Sequence, residues 1–146
     1  MAFHWLVVAD GAGARIYASD ELLDTLTPVD QLHHQHGHVT HGDGQVTTHL
    51  PGAGANAHDA HHDGARETEE RFARALARLV DDGERKHAFE RVILVAPPRF
   101  LGALRHELGA AAARRVVASI HHDWTKLGVR DLAERVRAEL PPTAGR

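Results

Sequence analysis

The amino-acid sequence predicts a single three-layer α/β domain over residues 1–146: a mixed sheet opened by an N-terminal β-hairpin, helices on both faces, and a long histidine-rich loop inserted at 30–63. Three observations carry this expectation. The apolar runs within Arg91–Ala96 and Val116–Ile120 read as strands buried on both faces, as in a sheet covered above and below by helices. Segments of helical period precede, separate and follow them, so parallel pairing is expected from the right-handed crossover rule. The opening HWLVVADGAGARIYA, residues 4–18, sets two short apolar stretches on either side of a turn.

In that hairpin Trp5 to Ala9 form the first strand, Asp10-Gly-Ala-Gly13 the connection, and Ala14 to Ala18 the second strand. Gly11 and Gly13 suit the positive φ that tight hairpins require. Ser19 to Pro28 reads as a turn followed by a short strand around Leu22 to Leu26. Residues 64–82 form a helix, with Phe72, Leu76, Leu79 and Val80 on one face and Gly83 at its exit. Glu67 with Arg71 and Glu70 with Arg74 add i,i+4 pairs in the favourable order. Pro97-Pro98 stops the strand at Ala96 and opens a helix over 98–113, where proline at the first position loses nothing. Leu101, Leu104, Leu108 and Ala111 form its stripe. The last helix, 128–140, turns Val129, Leu132, Val136 and Leu140 inward and halts at Pro141-Pro142; residues 141–146 are a tail.

A chain of 146 residues and 16.0 kDa has the size of one domain and buries roughly two-thirds of its unfolded surface. It contains no cysteine, which excludes disulfides and thiolate metal sites. The Trp5 to Ala9 run is too short for a signal-peptide core or a membrane span, so a soluble, cytoplasmic protein is expected. The formal charge of -3 argues against a free-standing nucleic-acid binder, although 14 histidines make that charge strongly dependent on pH below neutral.

Residues 30–63 hold nine histidines, at 33, 34, 36, 38, 41, 49, 58, 61 and 62, and no sustained apolar period. A connection of that length is functional or disordered as a rule. Within it, Gln45 to Leu50 reads as a short strand. His34, His36 and His38 alternate, which puts them on one face of an extended segment, while His58 and His61 are helical neighbours. With His62, and Asp59 or Asp63 to complete a shell, they form a candidate Zn or Ni site. No cofactor is otherwise required. The spacing matches no standard tetrahedral signature, so a solvated, pH-sensitive loop is the competing reading.

Trp5-Leu-Val-Val-Ala-Asp-Gly11, Ala14-Arg-Ile-Tyr17, the helix carrying Phe72-Ala, Val92-Ile-Leu-Val-Ala-Pro-Pro98 and Leu101-Gly-Ala-Leu-Arg105 together resemble the bacterial host-attachment protein family, over roughly residues 4–139. The family's name implies a role in attachment to host cells. That family is in turn similar to the middle domain of archaeal and eukaryotic class-1 peptide-chain release factors. There a hairpin is followed by a long loop whose Gly-Gly-Gln enters the ribosome and promotes peptidyl-tRNA hydrolysis. The corresponding segment is His41-Gly-Asp-Gly-Gln45, with Gly44 and Gln45 matching and Asp43 standing where the first paired glycine is expected.

This resemblance implies a ribosome or tRNA partner and makes Gly44 and Gln45 the candidate catalytic residues. An uncharged amide beside flexible glycines places water and stabilises an oxyanion without competing as a nucleophile. An ordinary Asp-Gly turn is the alternative. Arg99, Arg105, Arg114 and Arg115 form a candidate RNA-binding patch, against the alternative of solvated helix faces. Asp10 as a nuclease carboxylate, and His122 with Asp123 as an acid–base pair, are weighed against simple turn roles and yield to them. The functional expectation is a binding domain, non-enzymatic or marginally hydrolytic, that engages RNA or the ribosome. The alternatives are an interaction protein for host attachment and a metal-responsive protein.

Overall fold

The computed structural model describes residues 2–35, 38–41, 45–49 and 61–140, with side chains over 2–34 and 66–140. The elements run β1 (Ala2–Ala9), β2 (Gly13–Ser19), β3 (Leu26–Gln35), β4 (His38–His41), β5 (Gln45–His49), α1 (His61–Arg85), β6 (Phe89–Val95), α2 (Pro98–Glu107), α3 (Ala110–Ala113), β7 (Val116–Ile120) and α4 (Val129–Glu139). The described strands form one mixed sheet in the order β5-β4-β3-β2-β1-β6-β7. β1, β6 and β7 are parallel, and the other pairings are antiparallel.

Helices lie on both faces, as the apolar runs require. Trp5, Val7, Ala9, Ile16, Val92 and Leu94 pack against Phe72, Leu76 and Val80 of α1 and Phe100, Leu101 and Leu104 of α2. Leu6, Val8, Tyr17, Ile93 and Val95 pack on the opposite face against Leu132, Ala133 and Val136 of α4, with Trp124. Strand alternation sorts β1 between these two cores. The three layers are therefore borne out, with one adjustment: Val129 is exposed rather than inward.

The hairpin forms by another device than positive-φ glycine, since neither Gly11 nor Gly13 adopts such a φ. Instead Asp10 Oδ1 accepts from the amides of Ala12 and Gly13, at 2.8 Å each. This Asx turn closes the connection through the side chain. Leu23 carries the left-handed conformation, φ 59°, in a buried side chain ahead of β3. The strand expected at Leu22 to Leu26 thus begins where it was expected to end. Pro28 is tolerated inside β3 because the register shifts there: Ile16 pairs with Asp30 and Tyr17 with Pro28, leaving Val29 extra.

The expected loop at 30–63 is corrected where it is described. Residues 30–35, 38–41 and 45–49 are strands and 61–63 begin α1; residues 36–37, 42–44 and 50–60 lie outside the described residues. The strand expected from Gln45 is present. Strands toward the β5 margin of the sheet need no apolar residues on both faces, so the continuous apolar run that betrays β6 is missing here.

Gly83 sits inside α1 rather than at its exit. A Cβ there would lie 2.5 Å from the Trp5 ring and 2.9 Å from Phe89, so only glycine lets the helix approach β1. The helix ends at a Schellman motif: Ala88 N donates to Gly83 O at 2.8 Å and His87 N to Glu84 O at 3.0 Å, with His87 at φ 57°. The single helix expected over 98–113 is broken at Leu108-Gly109, where Gly109 N donates to Asp81 Oδ1 of α1 at 3.0 Å.

Candidate functional site

The candidate catalytic segment falls between two paired strands. His41, the last residue of β4, pairs with Gln45, the first of β5. Gly44 lies outside the described residues, as do Gly42 and Asp43. HGDGQ therefore occupies the connection of an antiparallel pair whose second strand is the outermost of the sheet.

The candidate metal ligands are distributed over several elements. His34 lies on β3 with its ring 6.0 Å from that of Phe72. His38 opens β4, paired with Gln35 and His49, while His61 and His62 open α1. His36 and His58 lie outside the described residues. Gln35 of β3 pairs with His38 of β4, so His34 and His38 lie on two antiparallel strands rather than along one extended segment. Among the described residues, no group of three or more histidines and carboxylates could hold a metal ion.

The four arginines sit on or after the short helices of the α1 face. Arg99 pairs with Glu69 at 3.1 Å, and Arg105 Nη1 donates to Ser119 Oγ at 2.6 Å, tying α2 to β7. Arg115 pairs with Glu84 at 3.7 Å and donates to Glu90 O at 3.4 Å; Arg114 caps α3 and is exposed. Three of the four thus have partners within the fold.

The structure also assembles a group that local pattern could not reveal. At the carboxyl end of β1, Asp10 meets the segment that follows β7. Thr125 Oγ1 lies 2.6 Å from Asp123 Oδ1 and 3.3 Å from Asp10 Oδ2. A hydroxyl has one proton to give, and the shorter distance assigns it to Asp123. Arg15 Nη2 donates to the carbonyls of Thr125 and, at 3.4 Å, Leu127. His122 stacks on Trp124, with ring centroids 4.9 Å apart and planes within 8°. Asp10 keeps the turn role expected of it, and Asp123 Oδ1 accepts from Thr125 N at 3.2 Å, but 121–124 is not a helix entry, since α4 begins only at Val129. Their meeting spans more than 100 residues of sequence, and no spacing announces it.

Two cavities adjoin this group on the α4 face. One, of about 270 Å³, is lined by Asp10, Arg15, Gln31, His33 and Thr125 among others. The other, of about 340 Å³, is lined by Ile16, Tyr17, Pro28, Val29, Asp30 and Val129, and shares Arg15 and Gln31 with the first. Hydrogen-bonding groups of both signs beside an apolar hollow are suited to binding.

No helix among the described residues is long and apolar enough to cross a membrane. No curated protein matches the chain. The model of a family described as "Protein required for attachment to host cells" matches residues 5–136, and the chain belongs to that family.

Proposed function

We propose that this protein is a cytoplasmic, non-enzymatic binding domain that engages ribosomal RNA or tRNA, with HGDGQ at 41–45 as the tip it presents. The observation that carries this reading is the pairing of His41 with Gln45, which makes the glycine-bearing segment the connection of an antiparallel pair at the sheet margin. The flanking strands β4 and β5 stand at one margin of the sheet, away from β1 and β6 with their helix-covered faces. The resemblance of the sequence to the release-factor middle domain is the other ground for this assignment. Any residual peptidyl-tRNA hydrolysis rests on Gln45 and Gly44, and Arg99, Arg105, Arg114 and Arg115 supply charge toward the RNA backbone. Phosphate contacts release counterions, so binding weakens steeply with salt. Co-sedimentation with ribosomes at low ionic strength tests the proposal; a protein that stays in the supernatant there is not a ribosome-binding domain.

The family's description favours a second reading, a host-surface or protein partner engaged during attachment. Loss of adhesion on deletion, with no ribosome association, selects it. Zn or Ni binding by His34, His36, His38, His58, His61 and His62 is the third proposal, and calorimetry with either metal decides it: affinity weaker than micromolar removes the metal from the account.

A further inference from the structure

We propose that the two adjoining cavities form one binding site for a free α-amino acid with an apolar side chain. The pointer is Asp10. Its Oδ1 takes both turn amides, at 2.8 Å each, whereas Oδ2 faces only the Thr125 hydroxyl oxygen at 3.3 Å, whose proton goes to Asp123. Two acceptor oxygens thus stand close together beside a cavity with no proton between them among the described residues, and an ammonium group supplies donors for both.

Next to them in the same cavity is Arg15. Its hydrogen bonds to Thr125 and Leu127 leave from Nη2, so Nε and Nη1 keep donors for a carboxylate. Arg15 and Gln31 form the wall common to both hollows. Beyond that wall the second cavity offers Ile16, Tyr17, Pro28, Val29 and Val129, with Asp30 also on its lining. Val29 and Val129 are 44% and 41% exposed, an apolar mouth open to solvent.

The α-carbon of the ligand lies at the junction, its carboxylate toward Arg15, its ammonium toward Asp10 and Thr125, and its side chain in the apolar hollow. A carboxylate alone would leave Asp10 opposed by a like charge, and an amine alone would do the same to Arg15. The zwitterion satisfies both. Leu32, between the lining residues Gln31 and His33, pairs with His41, so the site lies beside the strand that leads into 41–45; leucine binding is measured without RNA and stands or falls independently of it.

The test is calorimetry on the full chain with L-leucine, N-acetyl-L-leucine and L-leucinamide. Asp10→Asn keeps an oxygen to accept both turn amides while removing the charge. Val129→Glu, at an exposed position, puts a charge at the apolar mouth. Saturable binding of leucine is expected, weakened about tenfold or more in either derivative and either variant, at unchanged melting temperature. If Asp10→Asn does not fold, Val129→Glu and the two derivatives still decide. No saturable heat with leucine, or equal affinity for N-acetyl-leucine, overturns the proposal.

Discussion

Strands β1, β6 and β7 differ from β3, β4 and β5 in what holds them. Leu6, Val7, Val8, Ile93 and Leu94 have no exposed surface, because helices close over both faces of β1 and β6; in β7, at the other edge, only Ile120 is buried and Val117 is 48% exposed. Among the described side chains of β3 only Leu26 and Leu32 are buried, Thr27 to Val29 are exposed, and β4 (HVTH) and β5 (QVTTH) join the sheet by backbone pairing. The difference teaches that apolar content tracks coverage by helices. The covered block is a scaffold whose sequence is dictated by packing; the antiparallel margin is freer to carry histidines and a glycine-rich tip.

The largest effect that sharpens this contrast comes from the covered block. Phe72→Ala removes a fully buried ring 5.7 Å from that of Phe100 and is expected to cost about 3–5 kcal/mol in urea unfolding. Val29→Ala in β3, at a position 44% exposed, is expected to cost less than about 1 kcal/mol. Equal losses would break the distinction between the two regions.

Two glycines give the next pair. Gly83→Ala forces a methyl group into Trp5 and Phe89, and overpacking of this kind destabilises by about 1–3 kcal/mol despite alanine's better helix propensity. Gly102→Ala in α2 meets nothing within 4 Å and is expected to stabilise by about 0.5–1 kcal/mol. Thermal melts of the two variants should move in opposite directions.

The smallest effect is pH-dependent. His4 is buried at the base of β1, its Nδ1 donating to Asp20 O at 3.1 Å. Burial holds its pKa below the ordinary histidine value, the Asp20 hydrogen bond opposes this, and Arg91 adds to it. The unfolded chain therefore binds the proton more readily. This contribution to stability is complete above about pH 6.5 and is lost as pH falls from there through the folded value. His4→Gln should flatten part of the stability loss of the native chain on that side; an unchanged profile would assign the loss to other groups.

β1 and β6 were legible because burial on two faces writes continuous apolar runs, and β7 carries such a run although only Ile120 of it is buried. Val116–Ile120 was located to the residue, and Pro98 marked the start of α2. The strands of 30–49 were not, apart from Gln45–His49, since no face of them demands an apolar period. Gly83 was misread as a helix exit because glycine serves both termination and close approach, and only the Trp5 ring above it distinguishes the two. The Asp10–Thr125–Asp123 group was invisible for a different reason: it is made by the sheet topology, which brings the ends of β1 and β7 together.

The central claim is that the margin of the sheet carries the functional tip while the covered block supports it. It is tested most directly by ribosome co-sedimentation at low and high salt, comparing the intact protein with Gly44→Ala/Gln45→Ala. The account predicts salt-sensitive binding by the intact chain, lost in the variant at an unchanged melting temperature. Equal binding by both, or none by the intact protein at low salt, would contradict it.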